Sequence, residues 1–117
     1  MQKPKKSSYN DGVLTVVEEK QKLNSFNAKN NLKTKDDFKE VVKLFYEEQS
    51  KRQEDVLFAK SMDRKLTIKL KTPEVENIKT NYKVLIDNVI YDILHLDFDK
   101  NNHDLYFYLE EVRKIAW

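Results

Sequence analysis

The chain has 117 residues, enough for one domain with one core. It carries no cysteine, which excludes disulfide frameworks and thiolate metal sites, and a single glycine, which excludes glycine-rich phosphate loops. Charged residues make up 36% of the chain, yet the net charge is only +2, so no global polyanion-binding signature exists.

The charge is unevenly placed. Residues 1–35 hold eight lysines against three acids, a net of +5; the remainder holds 14 Lys and Arg against 17 acids, a net of −3. A basic front end on a mildly acidic body suggests contact with an acidic neighbour, protein or nucleic acid. A solvated tail has the same charge pattern. The N-terminus lacks the apolar stretch of a signal peptide, and no apolar run approaches membrane-spanning length.

Residues 1–10 are polar, lysine-rich and aperiodic, and read as a flexible basic arm. Residues 11–117 read as a single β-barrel domain. Val13 to Glu18 is β-branched and reads as a strand. Lys20 to Asp37, rich in Lys, Asn and Gln, reads as a long loop of the kind that often binds a partner. Phe38 to Glu48 fits two patterns: a strand with Val42, Leu44 and Tyr46 on one face, or a helix with a Phe38–Val41–Val42–Phe45 stripe. The Val-Val and Phe-Tyr pairs favour the strand.

Ser50 to Met62 reads as a helix. Ser50 and Gln53 have capping-box spacing, and Glu54 and Asp55 sit where the helix dipole favours acids. Arg64 to Lys71 alternates as a strand, with Leu66, Ile68 and Leu70 facing a core and Thr67, Lys69 and Lys71 facing water. Glu74 to Thr80 is a connector. Tyr82 to Asp87 and Val89 to Phe98 form a hairpin around Asp87-Asn88, both of which tolerate positive φ. Asp99 to Asp104 is a polar turn. Leu105 to Arg113 is a final strand, apolar on both faces, as expected of one covered on both sides. The expected fold is therefore mainly β: a small antiparallel β-barrel or sandwich of about six strands, with one short α-helix in a strand connector.

No constellation makes a positive case for an enzyme. His95 and His103 are eight residues apart across a turn, which is no metal-ligand spacing. The Asp97–Asp99–Asn101 run starts like a calcium loop but has Asn102 at the glycine position and Tyr108 at the bidentate-Glu position. No serine sits in a Gly-flanked elbow. The aromatics of the C-terminal half (Tyr82, Tyr91, Phe98, Tyr106, Phe107 and Tyr108) read first as core. An alternative is a small barrel stacking single-stranded nucleic acid on Tyr106 and Tyr108, though five aspartates between positions 87 and 104 would repel phosphate. Trp117 must dock, on its own barrel or on a neighbouring subunit, or stay exposed.

The order VKLFYEEQ, SKRQEDVLFAKSM, RKLTIKLK and YKVLIDNVIYDILHLD is strand, polar-acidic helical connector with an alanine, alternating strand, hairpin. From Val42 to Val112 this order resembles the head-tail joining, or head-completion (stopper), proteins of long-tailed bacteriophages. The Val84, Ile86, Tyr91, Ile93, Asp97 run carries the resemblance most closely. The resemblance implies a structural virion protein with no catalytic site and no cofactor. It would be made in the host cytoplasm and would sit in the virion neck, as a homo-oligomeric ring between a portal-bound adaptor and a tail-completion or tail-terminator protein. The ring would close the filled capsid around packaged double-stranded DNA, touching neither membrane nor small-molecule substrate. The channel-gating element would be the strand connector: Ser50, Lys51, Arg52, Gln53, Glu54 and Asp55, with Arg52, Glu54 and Asp55 near the lumen. The expected neighbour-binding arm and loop comprise Lys3, Lys5, Lys6, Lys29, Lys33 and Lys35, with Trp117.

Overall fold

The structure, a computed structural model, describes residues 9–20 and 37–115. Among these, six strands and one helix occur: β1 (Gly12–Glu19), β2 (Phe38–Gln49), α1 (Gln53–Ser61), β3 (Ile68–Pro73), β4 (Lys83–Ile86), β5 (Val89–Asp99) and β6 (Asp104–Lys114). The strands form one antiparallel sheet that closes on itself in the order β1-β2-β3-β6-β5-β4. The mainly β expectation with one connector helix therefore holds, and Phe38–Gln49 is a strand rather than a helix. None of the described helices is long and apolar enough to cross a membrane.

Alternation builds the interior. Leu14 and Val16 of β1, Leu44 of β2, Leu70 of β3, Val84 and Ile86 of β4, Ile93 of β5 and Leu105, Phe107 and Leu109 of β6 form one cluster. Ile78, from the connector between β3 and β4, joins that cluster, so this connector contributes to the core as it crosses between non-adjacent strands. Two smaller apolar clusters lie apart from it. Val17, Phe38, Leu85, Ile90 and Ile115 form one, and the Ile115 amide donates to the Asn88 carbonyl at 2.7 Å. Ala59, Leu66 and Tyr108 form the other, where α1 packs on β6.

Several boundaries differ from the sequence reading for local reasons. The β4–β5 hairpin closes with Ile86 opposite Val89, but only Asp87 takes positive φ (55°). The strand expected from Arg64 begins at Ile68. Before it, Arg64 and the Lys65 amide engage the Glu110 carboxylate, and the Thr67 amide donates to the Leu109 carbonyl at 2.8 Å. The helix starts at Gln53 with Arg52, not Ser50, as its cap. The Asp55 carboxylate accepts from the Arg52 backbone N–H at 3.1 Å, the reciprocal half of a capping box moved two residues on. Ahead of β1, the Tyr9 hydroxyl donates to the Asp104 carboxylate.

Lys69 is the largest departure. Alternation placed it on a wet face, yet its side chain is only 7% exposed. The face does point away from the interior cluster, but α1 lies across it, and Asp55 meets Lys69 at 3.0 Å. The covering also explains why β6 is apolar on both faces: Phe107 fills the interior, and Tyr108, one residue on, is buried beneath the helix.

Candidate functional site

The outer face of β3, β6 and β5 carries the most distinctive surface. Register sets its rows: Lys69 lies opposite Tyr108 and then His95, Lys71 opposite Tyr106 and then Asp97, and Asp104 opposite Asp99. Helix α1 covers the first row. Its Phe58 ring packs edge-on against His95 at 5.4 Å, and His95 lies 5.3 Å from Tyr108. The Lys69 ammonium stands 5.0 Å from the Tyr108 ring centre and 5.6 Å from that of Tyr106. Tyr9, its ring 5.9 Å from the Lys71 ammonium, meets the last row at Asp104.

On this face an open cleft of 620 Å³ is lined by Gln49, Ser50, Arg52, Lys69, Asp97, Phe98, Asp99, Tyr106 and Tyr108. Its cations are already paired. Lys69 holds Asp55, and Arg52 reaches Asp55 at 3.4 Å and Glu54 at 3.6 Å. On the neighbouring row, Lys71 holds Glu47 at 3.1 Å. Asp99 accepts hydrogen bonds from the backbone and side chain of neutral Asn102 at 3.3 and 2.8 Å, which hold its carboxyl below the usual range. Asp97 has no cation within ion-pair distance among the described residues. Burial raises the Tyr106 phenol above its ordinary value, helped by Asp104 and Asp99 against the opposing pull of Lys71, so it remains a protonated donor at neutral pH. The cleft thus offers aromatic rings, hydroxyl donors and two carboxylates with no cation within ion-pair distance among the described residues.

Helix α1 is the second element of the site. Of its nine residues only Asp55 and Ala59 are buried. Leu57 is 55% exposed, and Val56, Phe58 and the following Met62 are each about two-fifths exposed. An isolated helix of this length is marginal in water. It is held by the Asp55–Lys69 pair at its start, by Ala59 and Phe58 packed on Tyr108 and His95, and by Arg64 with Glu110 and Asp92, plus buried Leu66, after its finish. Burial disfavours the charged form of Asp55, but hydrogen bonds from Lys69 and from the Arg52 backbone and side chain outweigh it and keep the carboxyl below its usual range.

The expected gating residues Ser50, Lys51, Arg52, Gln53 and Glu54 are all exposed, and Ser50 and Arg52 line the cleft. Asp55 differs from these five in its surroundings. It is buried beneath the helix, where its pair with Lys69 ties α1 to β3. Lys51 is tied back, donating to the Thr67 carbonyl at 3.1 Å. Lys3, Lys5, Lys6, Lys29, Lys33, Lys35 and Trp117 lie outside the described residues, as does most of the expected Lys20–Asp37 loop. Sequence reasoning missed Lys69 and the outward apolar side of α1. The signal for the latter was present: four apolar residues, Val56, Leu57, Phe58 and Met62, cannot all share one narrow face of so short a helix.

A second exposed apolar area lies on the opposite wall, where Val13 of β1 pairs across to Phe45 of β2, which is 65% exposed. Val41 is the extra residue of a bulge, since Val16 pairs with Val42 and Val17 with Glu40. Among the described residues, no group of three or more His, Asp or Glu is placed to hold a metal ion. No model of a known protein family matches the chain, and no curated protein matches it.

Proposed function

We propose that this chain is an assembly module of the neck of a long-tailed bacteriophage: a barrel that joins a homo-oligomeric ring, closes the DNA-filled head and presents a surface to the tail. The observation that carries the reading is α1. It is a strand connector of the kind expected from the resemblance, held at both ends yet turning Leu57, Phe58, Val56 and Met62 towards solvent. Exposed apolar side chains on a short, pinned helix suit a surface that is covered on assembly. The opposite wall, with Val13 and Phe45, supplies a second apolar area, and two distinct areas on one subunit suit a head-to-tail ring. In this reading the gate is a docked helix rather than an extended plug, and it rides on the Asp55–Lys69 anchor.

The test is negative-stain imaging of DNA-filled, tailless heads assembled with and without the chain. Heads that leak DNA and fail to join tails without it, and recover both with added protein, support the reading. Equal leakage and joining in the two samples overturns it. A single-stranded nucleic-acid-binding barrel is the competing reading, favoured by Tyr106, Tyr108 and Phe98 in one cleft. It predicts salt-dependent binding of short oligonucleotides that falls on Tyr106→Ala. The carboxylates of Asp97 and Asp99 in the same cleft count against it.

A further inference from the structure

We propose that the open edge of β2 pairs with the same edge of a second copy of this chain, antiparallel and about a two-fold axis at Val41 and Val42. The sheet closes, but not along its full height. Residues 38–46 pair with β1 along one edge, the bulged Val41 aside, while β3 reaches β2 only at Glu47, Glu48 and Gln49. Among the described residues, the other edge of 38–46 therefore meets no strand. An unpaired edge presents backbone N–H and C=O groups that template a further strand.

The side chains along this edge are self-complementary, which selects a second copy as the occupant. Phe38, Glu40, Lys43 and Phe45 lie opposite Glu19, Val17, Thr15 and Val13 of β1, so the four share the outer face. Glu40 and Lys43 are three residues apart, a spacing that in a regular strand points to opposite faces. The bulge at Val41 supplies the extra residue that brings both to one face. A two-fold contact needs this, because residues directly opposite each other in an antiparallel pair lie on the same face. Setting Glu40 opposite Lys43 of the second copy also sets Lys43 opposite its Glu40, and brings Phe38 and Phe45 together at both ends. Glu40 and Lys43 are exposed, and neither has an ion pair among the described residues. Phe45 is 65% exposed, and Phe38 lines a groove of 230 Å³ with Val17 and Leu85 that the second copy's Phe45 would cover. Lysine on an edge strand ordinarily repels a second strand. In this register each Lys43 meets a Glu40 instead. The pairing does not depend on the neck assignment. On that assignment Phe45 also serves the ring, so the two contacts compete and the pair is the form of the chain before assembly.

About eight residues a side is small beside the roughly 20–30 of a standard interface, so association should be weak and concentration-dependent. The test is sedimentation velocity of the full chain from about 10 μM to about 1 mM, the range in which weak pairing registers. A shift from monomer to dimer is expected. Glu40→Lys and Lys43→Glu each set like charges opposite twice and should weaken pairing about tenfold or more. Both positions are exposed, so the circular dichroism of each variant should match that of the starting protein. An equimolar mixture of the two single variants should pair again as a mixed dimer, since every contact is once more between opposite charges. The double exchange in one chain should do the same. Leu57→Glu on α1 should leave the dimer intact, which separates this contact from the assembly surface proposed above. A monomer at every concentration, a dimer indifferent to both charge changes, or a mixture that stays monomeric overturns the inference. A dimer lost on Leu57→Glu assigns self-association to α1 and overturns it as well.

Discussion

The Asp55–Lys69 pair offers the sharpest quantitative prediction, because the two charges are nearly solvent-free and unequally supported. Both side chains are under a tenth exposed and meet at 3.0 Å. Asp55→Asn leaves the Lys69 ammonium with a neutral amide and two tyrosine faces. That change should destabilise the fold by about 3 kcal/mol, the cost of an uncompensated buried charge. Lys69→Met leaves the Asp55 carboxylate still receiving the Arg52 backbone N–H and facing the Arg52 guanidinium at 3.4 Å. Its cost should be smaller, about 2 kcal/mol. The double variant removes both charges and keeps an acceptor for the Arg52 N–H, so it should also lie about 2 kcal/mol below the starting protein, giving a coupling of about 3 kcal/mol. At about 4 °C per kcal/mol for a chain of this length, Asp55→Asn should lower Tm by about 12 °C. Urea denaturation followed by circular dichroism, with all four proteins in one cycle, measures this. Single losses below about 0.5 kcal/mol that simply add would refute the claim that this pair anchors α1.

Because the folded-state pKa of Asp55 is depressed, its stabilisation is complete above the unfolded carboxyl value of about 3.9 and drains away as pH falls through the lower folded value. The stability difference between the starting protein and Asp55→Asn should therefore shrink as pH drops below about 4, and a constant difference from pH 7 to 2 would contradict the assignment. Gly12 has φ +155°, and a Cβ there would lie 2.7 Å from the Tyr46 hydroxyl, so Gly12→Ala should lose about 1–3 kcal/mol in a chemical melt. Arg64 is partly exposed despite its contacts with Glu110 and Asp92, so Arg64→Ala should cost under about 1 kcal/mol globally. The same change should speed hydrogen exchange of the α1 amides more than those of β6, which native-state exchange would resolve.

The sequence carried the strands because their signal is local. β-branched runs, alternation and the Asp87-Asn88 turn place β1, β4 and β5 to within a residue or two, and Val-Val and Phe-Tyr correctly decided β2. Closure and strand order were not local: β3 pairs with β6, and no residue of IKLKTP announces a partner 31 to 41 positions on. The same gap hid the site. Lys69 reads as a solvent-facing strand residue because nothing in its own neighbourhood shows that Asp55 folds over it. Asp55 reads as a dipole-favoured surface acid; it does accept from the Arg52 N–H in the first turn, but it is buried. The cleft combines Ser50 and Arg52 from before the helix with Asp97 to Asp99 and Tyr106 from the last hairpin. Aromatics expected to be core proved divided: Phe107 fills the interior, while Tyr106 and Phe98 line the cleft.

The proposal for the neck turns on the outward side of α1, and one measurement tests it most directly. Leu57→Glu with Phe58→Glu changes residues that are half-exposed, so the melting temperature should stay within a few degrees of the starting value, about 1 kcal/mol at most. Added to DNA-filled, tailless heads made without the chain, this folded variant should fail to restore tail joining, while the starting protein restores it. Full restoration by the variant would contradict the assignment of α1 as the assembly surface.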